Sequence, residues 1–241
     1  MEQSKYDWIL NNQDIHWWFV GRNKVIDRYI QKIGLTKNST RRILDIGTGF
    51  GAPITTVKNY GTIDAVEPFK DCHTILKEKG VQKIIEIDDF PFHYPDEKYD
   101  MVCLFDVLEH IENDRLSLDT IFNKLLNPNG HIIMTVPAYM FLWTSHDTEN
   151  KHFRRYTRSE LIDKVTAAGF KDIQCSYFMS LLFPIAAFQR LIMKALKKDA
   201  VTGYEIPFYN SFFNAIFSLE QQLLKYINFP FGLSIIITAK R

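Results

Sequence analysis

Cysteine is scarce: Cys72, Cys103 and Cys175 are odd in number and far apart, with no Cys-x-x-Cys pair among them. That excludes a disulfide framework and a cysteine-paired zinc knuckle, and a reducing, cytoplasmic setting is the expectation. An excess of one charge is also missing, since 29 basic against 28 acidic side chains leave a formal net charge of +1. A dedicated nucleic-acid binder carries a basic surplus, so nucleic acid is disfavoured and a small-molecule partner favoured. No run is apolar enough to span a membrane. The most apolar stretch, Tyr177 to Met193, is broken by Pro184, Gln189 and Arg190, which makes it too short and too polar. The start, Met1-Glu-Gln-Ser-Lys, lacks the apolar centre of a signal peptide. There is no internal repeat and no low-complexity segment. At 241 residues the chain suits one domain with a proper core, or one domain with an insertion.

What the chain does have is the stretch Ile43-Leu-Asp-Ile-Gly-Thr-Gly-Phe-Gly51. An apolar strand-type run ends in Gly47, Gly49 and Gly51, and a helix-competent segment opening near Pro53 follows. Strand, tight turn and helix N-terminus in that order suit an anionic or polar group, because glycine admits positive φ and lets backbone N–H groups approach a ligand. The spacing is Gly-x-Gly-x-Gly, so the dinucleotide fingerprint Gly-x-Gly-x-x-Gly is not met, and a nicotinamide-linked dehydrogenase is disfavoured. The next strand, Thr62-Ile-Asp-Ala-Val-Glu67, ends on an acid. An acid about 20 residues past such a glycine loop is placed to accept the ribose hydroxyls of a nucleoside cofactor.

Further strands read as Lys83 to Ile87, Tyr99 to Phe105, His131 to Val136, Asp172 to Phe178 and Leu233 to Ala239. Tyr99 to Phe105 is nearly all apolar, as a buried parallel strand would be, and delivers Asp106-Val-Leu-Glu109-His110 to the edge that carries Asp45 and Glu67. Helical segments come between: Asp71 to Lys79 closed by Gly80; Leu118, Ile121, Phe122 and Leu125 at helical spacing before the turn Asn127-Pro-Asn-Gly130; and a capping box, Thr157-Arg-Ser-Glu160.

With Asp45, the glycine stretch resembles the first motif of class I S-adenosylmethionine-dependent methyltransferases, and the Asp-Val-Leu-Glu-His strand end resembles that family's fourth. The resemblance extends from His16-Trp-Trp-Phe to Arg-Arg-Tyr156-Thr. It implies an α/β, Rossmann-like fold: a mostly parallel seven-stranded sheet with an antiparallel last strand, helices on both faces and a helical insertion. The expected parts are an N-terminal lid or helix (1–40), a cofactor-binding core (41–180), an insertion serving as substrate lid, dimer face or contact for an apolar substrate (181–230), and the last strand (231–241). Within the insertion, Phe212, Ile216, Leu219 and Leu223 share one helical face, first read as core packing.

The resemblance also implies S-adenosylmethionine as cofactor, with Asp45, Gly47, Thr48, Gly49, Gly51, Glu67, Pro68, Phe105 and Asp106 around it. The carboxylate that meets the adenine amino group is Glu86 or Asp88, depending on register. Trp17, Trp18 and Phe19 either pack the first helix or lie over the sulfonium, since aromatic faces favour a cation; Arg22 suits the methionyl carboxylate. An enzyme moving a methyl group to a small molecule, by O-methylation, is expected. His110, His146 and His152 are candidate bases because imidazole titrates in the useful range. Tyr139, Trp143, Arg154, Arg155 and Tyr156 are candidate substrate contacts, the arginines for an anionic group. No resident metal is expected. The alternative is a metal-assisted enzyme acting on an RNA end or a quinone, because Asp106, Glu109, His110 and a later histidine resemble the divalent site of such enzymes. A non-catalytic scaffold is a further alternative, and a homodimer is left open.

Overall fold

A computed structural model describes residues 3–196 and 210–241. Seven strands form one sheet: β1 (Arg42–Ile46), β2 (Thr62–Val66), β3 (Lys83–Ile85), β4 (Tyr99–Phe105), β5 (Leu126–Pro137), β6 (Lys171–Phe178) and β7 (Ser234–Lys240). Their order is β3-β2-β1-β4-β5-β7-β6, with β7 antiparallel to both neighbours and the others parallel to one another. Strand order therefore reverses between β1 and β4. In open α/β sheets that reversal leaves a crevice at the carboxyl ends of the strands, where ligands bind.

The helices are α1 (Gln3–Asn12), α2 (Trp17–Lys32), α3 (Ile54–Val57), α4 (His73–Glu78), α5 (Asp114–Thr120), α6 (Ser145–Glu149), α7 (Arg158–Ala167), α8 (Phe183–Ala195) and α9 (Asn210–Leu223). The capping box at the start of α7 is formed as its sequence implies, Thr157 and Glu160 each bonding the other's backbone N–H. Apolar residues on both faces of the strands, Ile43, Leu44, Val102, Leu104, Ile133 and Ile236 among them, are fully buried.

Several expectations need correction. α1 has no periodic apolar pattern and was not anticipated. Trp17 to Phe19 form the first turn of α2, where the His16 side chain accepts the Trp18 N–H and starts the helix. The turn at Asn127 to Gly130 is an irregularity within β5: Leu126 pairs with Tyr99 before the loop and His131 with Met101 after it. Asn129 takes φ 65° in that loop, a geometry asparagine tolerates. In α9 the packed side is Phe213, Phe217 and Glu220, leading to Leu224, whereas Phe212, Leu219 and Leu223 are exposed. The helix is apolar on both sides, so spacing alone selected the wrong stripe. Part of the inferred insertion, residues 197–209, lies outside the described residues.

Helix α2 is anchored at two levels. Val25, Ile26, Tyr29 and Ile30 are fully buried against the sheet. One turn earlier Gly21 faces the Phe217 ring so closely that a Cβ there would lie 2.5 Å from it.

Candidate active site

Above the carboxyl ends of β1, β2 and β4 opens a cleft of about 2150 Å³. Sites for one drug-sized ligand run to roughly 1,000 Å³, so this one has room for a cofactor and an acceptor together.

Its cofactor side is built by the glycine loop. Gly47, Gly49 and Gly51 have φ of 68°, 55° and 69°, values that side chains resist. A Cβ on Gly47 would strike Val107, whereas one on Gly49 would meet no atom within 4 Å; that open volume belongs to the cleft. Glu67, just past β2, is buried, and its carboxylate accepts the N–H groups of Gly49 at 2.6 Å and Phe69 at 2.9 Å. Burial pushes its pKa up while the two amides oppose this. Two bonds leave acceptor capacity for hydroxyls. Asp45, buried at the end of β1, is pushed up to about 7 by desolvation, against the opposing Thr48 hydroxyl and Arg22 charge.

Arg22 enters from α2. Its guanidinium pairs with Asp106, lies 4.3 Å from the centroid of the Trp18 ring, and keeps a buried Nε without a partner. Asp106 also accepts the Thr135 hydroxyl at 3.1 Å. Trp17 lines the same wall, edge to face with Phe213 of α9.

The opposite wall holds the histidines. His152 Nδ1 is 2.9 Å from Asp147 Oδ1, and Arg155 grips the same carboxylate through Nε at 2.7 Å and Nη2 at 2.8 Å. Burial alone would raise the Asp147 carboxyl, yet bonds from His152 and Arg155, the Arg155 charge and the Thr144 amide hold it well below the usual range. An ionised carboxylate can only accept, so His152 Nδ1 carries the proton and Nε2 is left as a base. The His110 ring lies 4.5 Å away, edge to face, and desolvation followed by the His152 ring pushes it down to about 4. Beneath them Glu109 is buried with neither carboxylate oxygen hydrogen-bonded, and burial, then Asp106, raise its pKa well above the usual value. His146 also lines the cleft, its Nε2 2.9 Å from Asn150 Nδ2.

Residues 20–175 match the family described as a methyltransferase domain. The chain belongs to the S-adenosylmethionine-dependent methyltransferases. Solved structures agree with the fold of this methyltransferase. One from Archaeoglobus fulgidus, a SAM-dependent methyltransferase, is 18% identical over 91% of this chain and 94% of its own, with a TM-score of 0.56. One from Thermotoga maritima, a possible histamine N-methyltransferase, is 16% identical over 98% and 99%, with a TM-score of 0.56. Phosphoethanolamine N-methyltransferase 2 from Haemonchus contortus, in complex with phosphomonomethylethanolamine and S-adenosylhomocysteine, is 16% identical over 88% of this chain and 51% of its own, with a TM-score of 0.56. At such identities the likeness shows the fold. No curated protein matches the chain.

S-adenosylmethionine is the methyltransferase's cofactor, and the residues present fit it: a buried arginine with an unfilled donor, an acid beside the glycine loop, and open space over Gly49. Of the residues singled out from sequence, Trp17, Arg22, Asp45, Gly47, Thr48, Gly49, Glu67, Pro68, Asp88, Phe105, Asp106, His110, His146, His152 and Arg155 all line the cleft.

Others do not. Gly51 packs beneath the loop, against Leu76. Glu86 is not among the lining residues and pairs with Lys70 at 3.4 Å, so of the two candidates Asp88 is the one at the cleft. Arg154 binds the carbonyls of Ile111 and Glu112, and Tyr156 is buried with its hydroxyl on Asp114. Tyr139 stacks on Tyr177, and Trp143 donates to Thr148. Arg155 reaches the cleft, but its charge is committed to Asp147. Sequence reading gave no role to Asp147 or to Leu182, Ile185 and Gln189 of the α8 region, which also line the cleft. The His146-Asp147 and His152 spacing was the only available signal for the first.

Proposed function

We propose that this methyltransferase carries a methyl group to a hydroxyl of a small-molecule acceptor, with His152 taking the hydroxyl proton. When bound, S-adenosylmethionine supplies an electrophilic methyl on a sulfonium, and most of the catalytic task is alignment in a water-poor site. Glu67 would receive the ribose hydroxyls, Asp88 the adenine edge and Arg22 Nε the methionyl carboxylate.

The observation that carries the reading is the Asp147–His152 pair, which leaves an accepting imidazole nitrogen for the cleft. Asp147 is itself fixed by Arg155, so the ring orientation is over-determined. Beside it lies the buried Glu109 carboxyl, whose pKa burial raises. His152→Gln should leave S-adenosylhomocysteine binding unchanged and lower turnover by roughly 10²–10⁴-fold. Equal turnover in the variant would end the role.

A second reading has its own support: Glu109, His110 and His152 each offer a ligand atom within 4.8 Å of the others'. Asp106, expected in that set, is taken by Arg22 and Thr135. Two imidazoles and one carboxylate suit Mn or Zn better than Mg. Paramagnetic resonance of the protein titrated with Mn²⁺ separates the readings, since a bound signal lost in His110→Gln favours the metal.

A further inference from the structure

Arg22, Arg155 and Arg190 line the cleft, and the first two each hold an acid: Arg22 pairs with Asp106 and Arg155 with Asp147. Arg190 of α8 has no such partner among the described residues. Its guanidinium makes one hydrogen bond there, from Nη1 to the Leu142 carbonyl at 3.5 Å. That is the long limit for such a bond, and its acceptor is neutral. A guanidinium carries five N–H donors in a fixed fork, so most of its capacity is left over.

The surroundings make this cation costly. Arg190 is half-buried, and desolvation, then the Arg155 charge, push its pKa down to about 10 against the opposing charge of Asp147. It is still charged at neutral pH. Asp147 cannot neutralise it as well, because both oxygens of that carboxylate are held by Arg155 and one of them also by His152. One carboxylate thus serves two guanidiniums. A cation taken out of water without a partner is a burden on the fold, and a ligand of opposite charge relieves it.

Beside the charge the wall is apolar. Ile185 and Gln189, and likewise Ala186 and Arg190, stand four residues apart and all line the cleft, so one face of α8 is turned to it. Along that face Leu182, Ile185 and Ala186 come first, and Gln189 and Arg190 follow one turn later. A molecule lying against it meets apolar side chains and then a fork of donors.

We propose that Arg190 receives an oxyanion of the methyl acceptor, a carboxylate or a phosphate monoester, while the apolar part of the acceptor lies against Leu182, Ile185 and Ala186. The proposal rests on the methyl-transfer reading. Arginine matches either oxyanion through two parallel bonds. The anion-binding role that the sequence offered to Arg154 and Arg155 thus passes to a residue 35 positions beyond Arg155, one that in the sequence only interrupts an apolar run.

The experiment is calorimetric titration of the full chain saturated with S-adenosylhomocysteine, which fills the Arg22 side of the cleft on that reading. The probes are benzoate, phenyl phosphate and benzyl alcohol, which share one ring and differ in charge. At least one anion should bind roughly ten-fold or more tightly than the alcohol, the usual worth of a hydrogen bond to a charged group, and which anion does so names the acceptor's group. Arg190→Gln should erase that preference, keep the S-adenosylhomocysteine affinity, and melt no lower than the natural chain, because it removes an unpaired cation. Arg190→Lys keeps the charge without the fork, so it should weaken the anions several-fold and leave the alcohol unchanged. Equal affinity of the natural chain for the three probes overturns the proposal, as does a preference that survives in Arg190→Gln. A lower melting temperature in Arg190→Gln with anion binding intact also overturns it and leaves the residue a purely structural contact to Leu142. Failure of S-adenosylhomocysteine itself to bind would overturn the methyl-transfer reading and this proposal together, whereas its binding without any anion preference overturns this proposal alone.

Discussion

His152 Nδ1 stands 2.9 Å from Asp147 Oδ1, and both oxygens of that buried carboxylate are also held by Arg155. The three side chains form one unit in which the aspartate fixes the imidazole and the arginine fixes the aspartate. Arg155→Lys should therefore act through position: a lysine cannot reproduce the two-bond fork. Turnover should fall by roughly ten-fold or more while cofactor affinity holds, as single-turnover kinetics beside calorimetry would reveal.

Glu67→Ala should weaken S-adenosylhomocysteine binding by about 1.5–3 kcal/mol, the usual worth of a hydrogen bond to a charged group. Calorimetry checks it, with circular dichroism confirming that the Gly49 loop survives loss of the carboxylate. Gly49→Val should abolish binding, because φ is 55° there and the side chain would occupy cleft volume.

Arg22→Ala should discriminate between ligands. S-adenosylhomocysteine should lose affinity, whereas 5′-methylthioadenosine, which has no carboxylate, should be much less affected. Equal losses for both would mean that Arg22 acts only on the shape of the cleft through Asp106 and Trp18.

Asp45 makes the unliganded fold sensitive to pH. Its folded value of about 7 lies above the ordinary 3.8, so between those values the folded state binds more protons, and this contribution is lost as pH rises through 7. Asp45→Asn should melt higher than the natural chain at pH 8, with the gap closing toward pH 4, at roughly 2–4 °C per kcal/mol for a chain of this size. A gap that does not change with pH would place the effect elsewhere.

Gly21→Ala should cost about 1–3 kcal/mol, the range for overpacking a close contact, because the added carbon would meet the Phe217 ring. Phe217→Leu in the same chain should recover part of the loss, measurable by denaturant unfolding.

The legible part of this molecule was the part written locally. Gly47, Gly49, Glu67 and the Asp106 to His110 strand end can be read because a strand, its turn and the next helix lie within a few residues of one another. Glu86 and Asp88 show where that reading loses resolution: β3 ends at Ile85, two residues before the expected end, and only the three-dimensional path sends Glu86 to Lys70 and Asp88 to the cleft. The far wall was less legible. Asp147 meets His152 across a turn, α8 and α9 reach the cleft from residues far along the chain, and α9 is apolar enough on both sides that periodicity cannot say which faces inward. Arginine pairs are ambiguous in the same way, since Arg154 and Arg155 are adjacent yet serve different carboxylates.

On the proposed methyl-transfer reading, the solitary carboxyl of Glu109 sets selection for durability against selection for activity. A buried acid with no hydrogen-bond partner burdens the native state, and a leucine or methionine in its place would satisfy packing without that burden. Descendants that had given up the chemistry would therefore be free to lose the acid early, while keeping the glycine loop for as long as they still bound the nucleoside. Glutamate at this position, set against the loop, would date the loss of catalysis separately from the loss of binding in any lineage built on this frame.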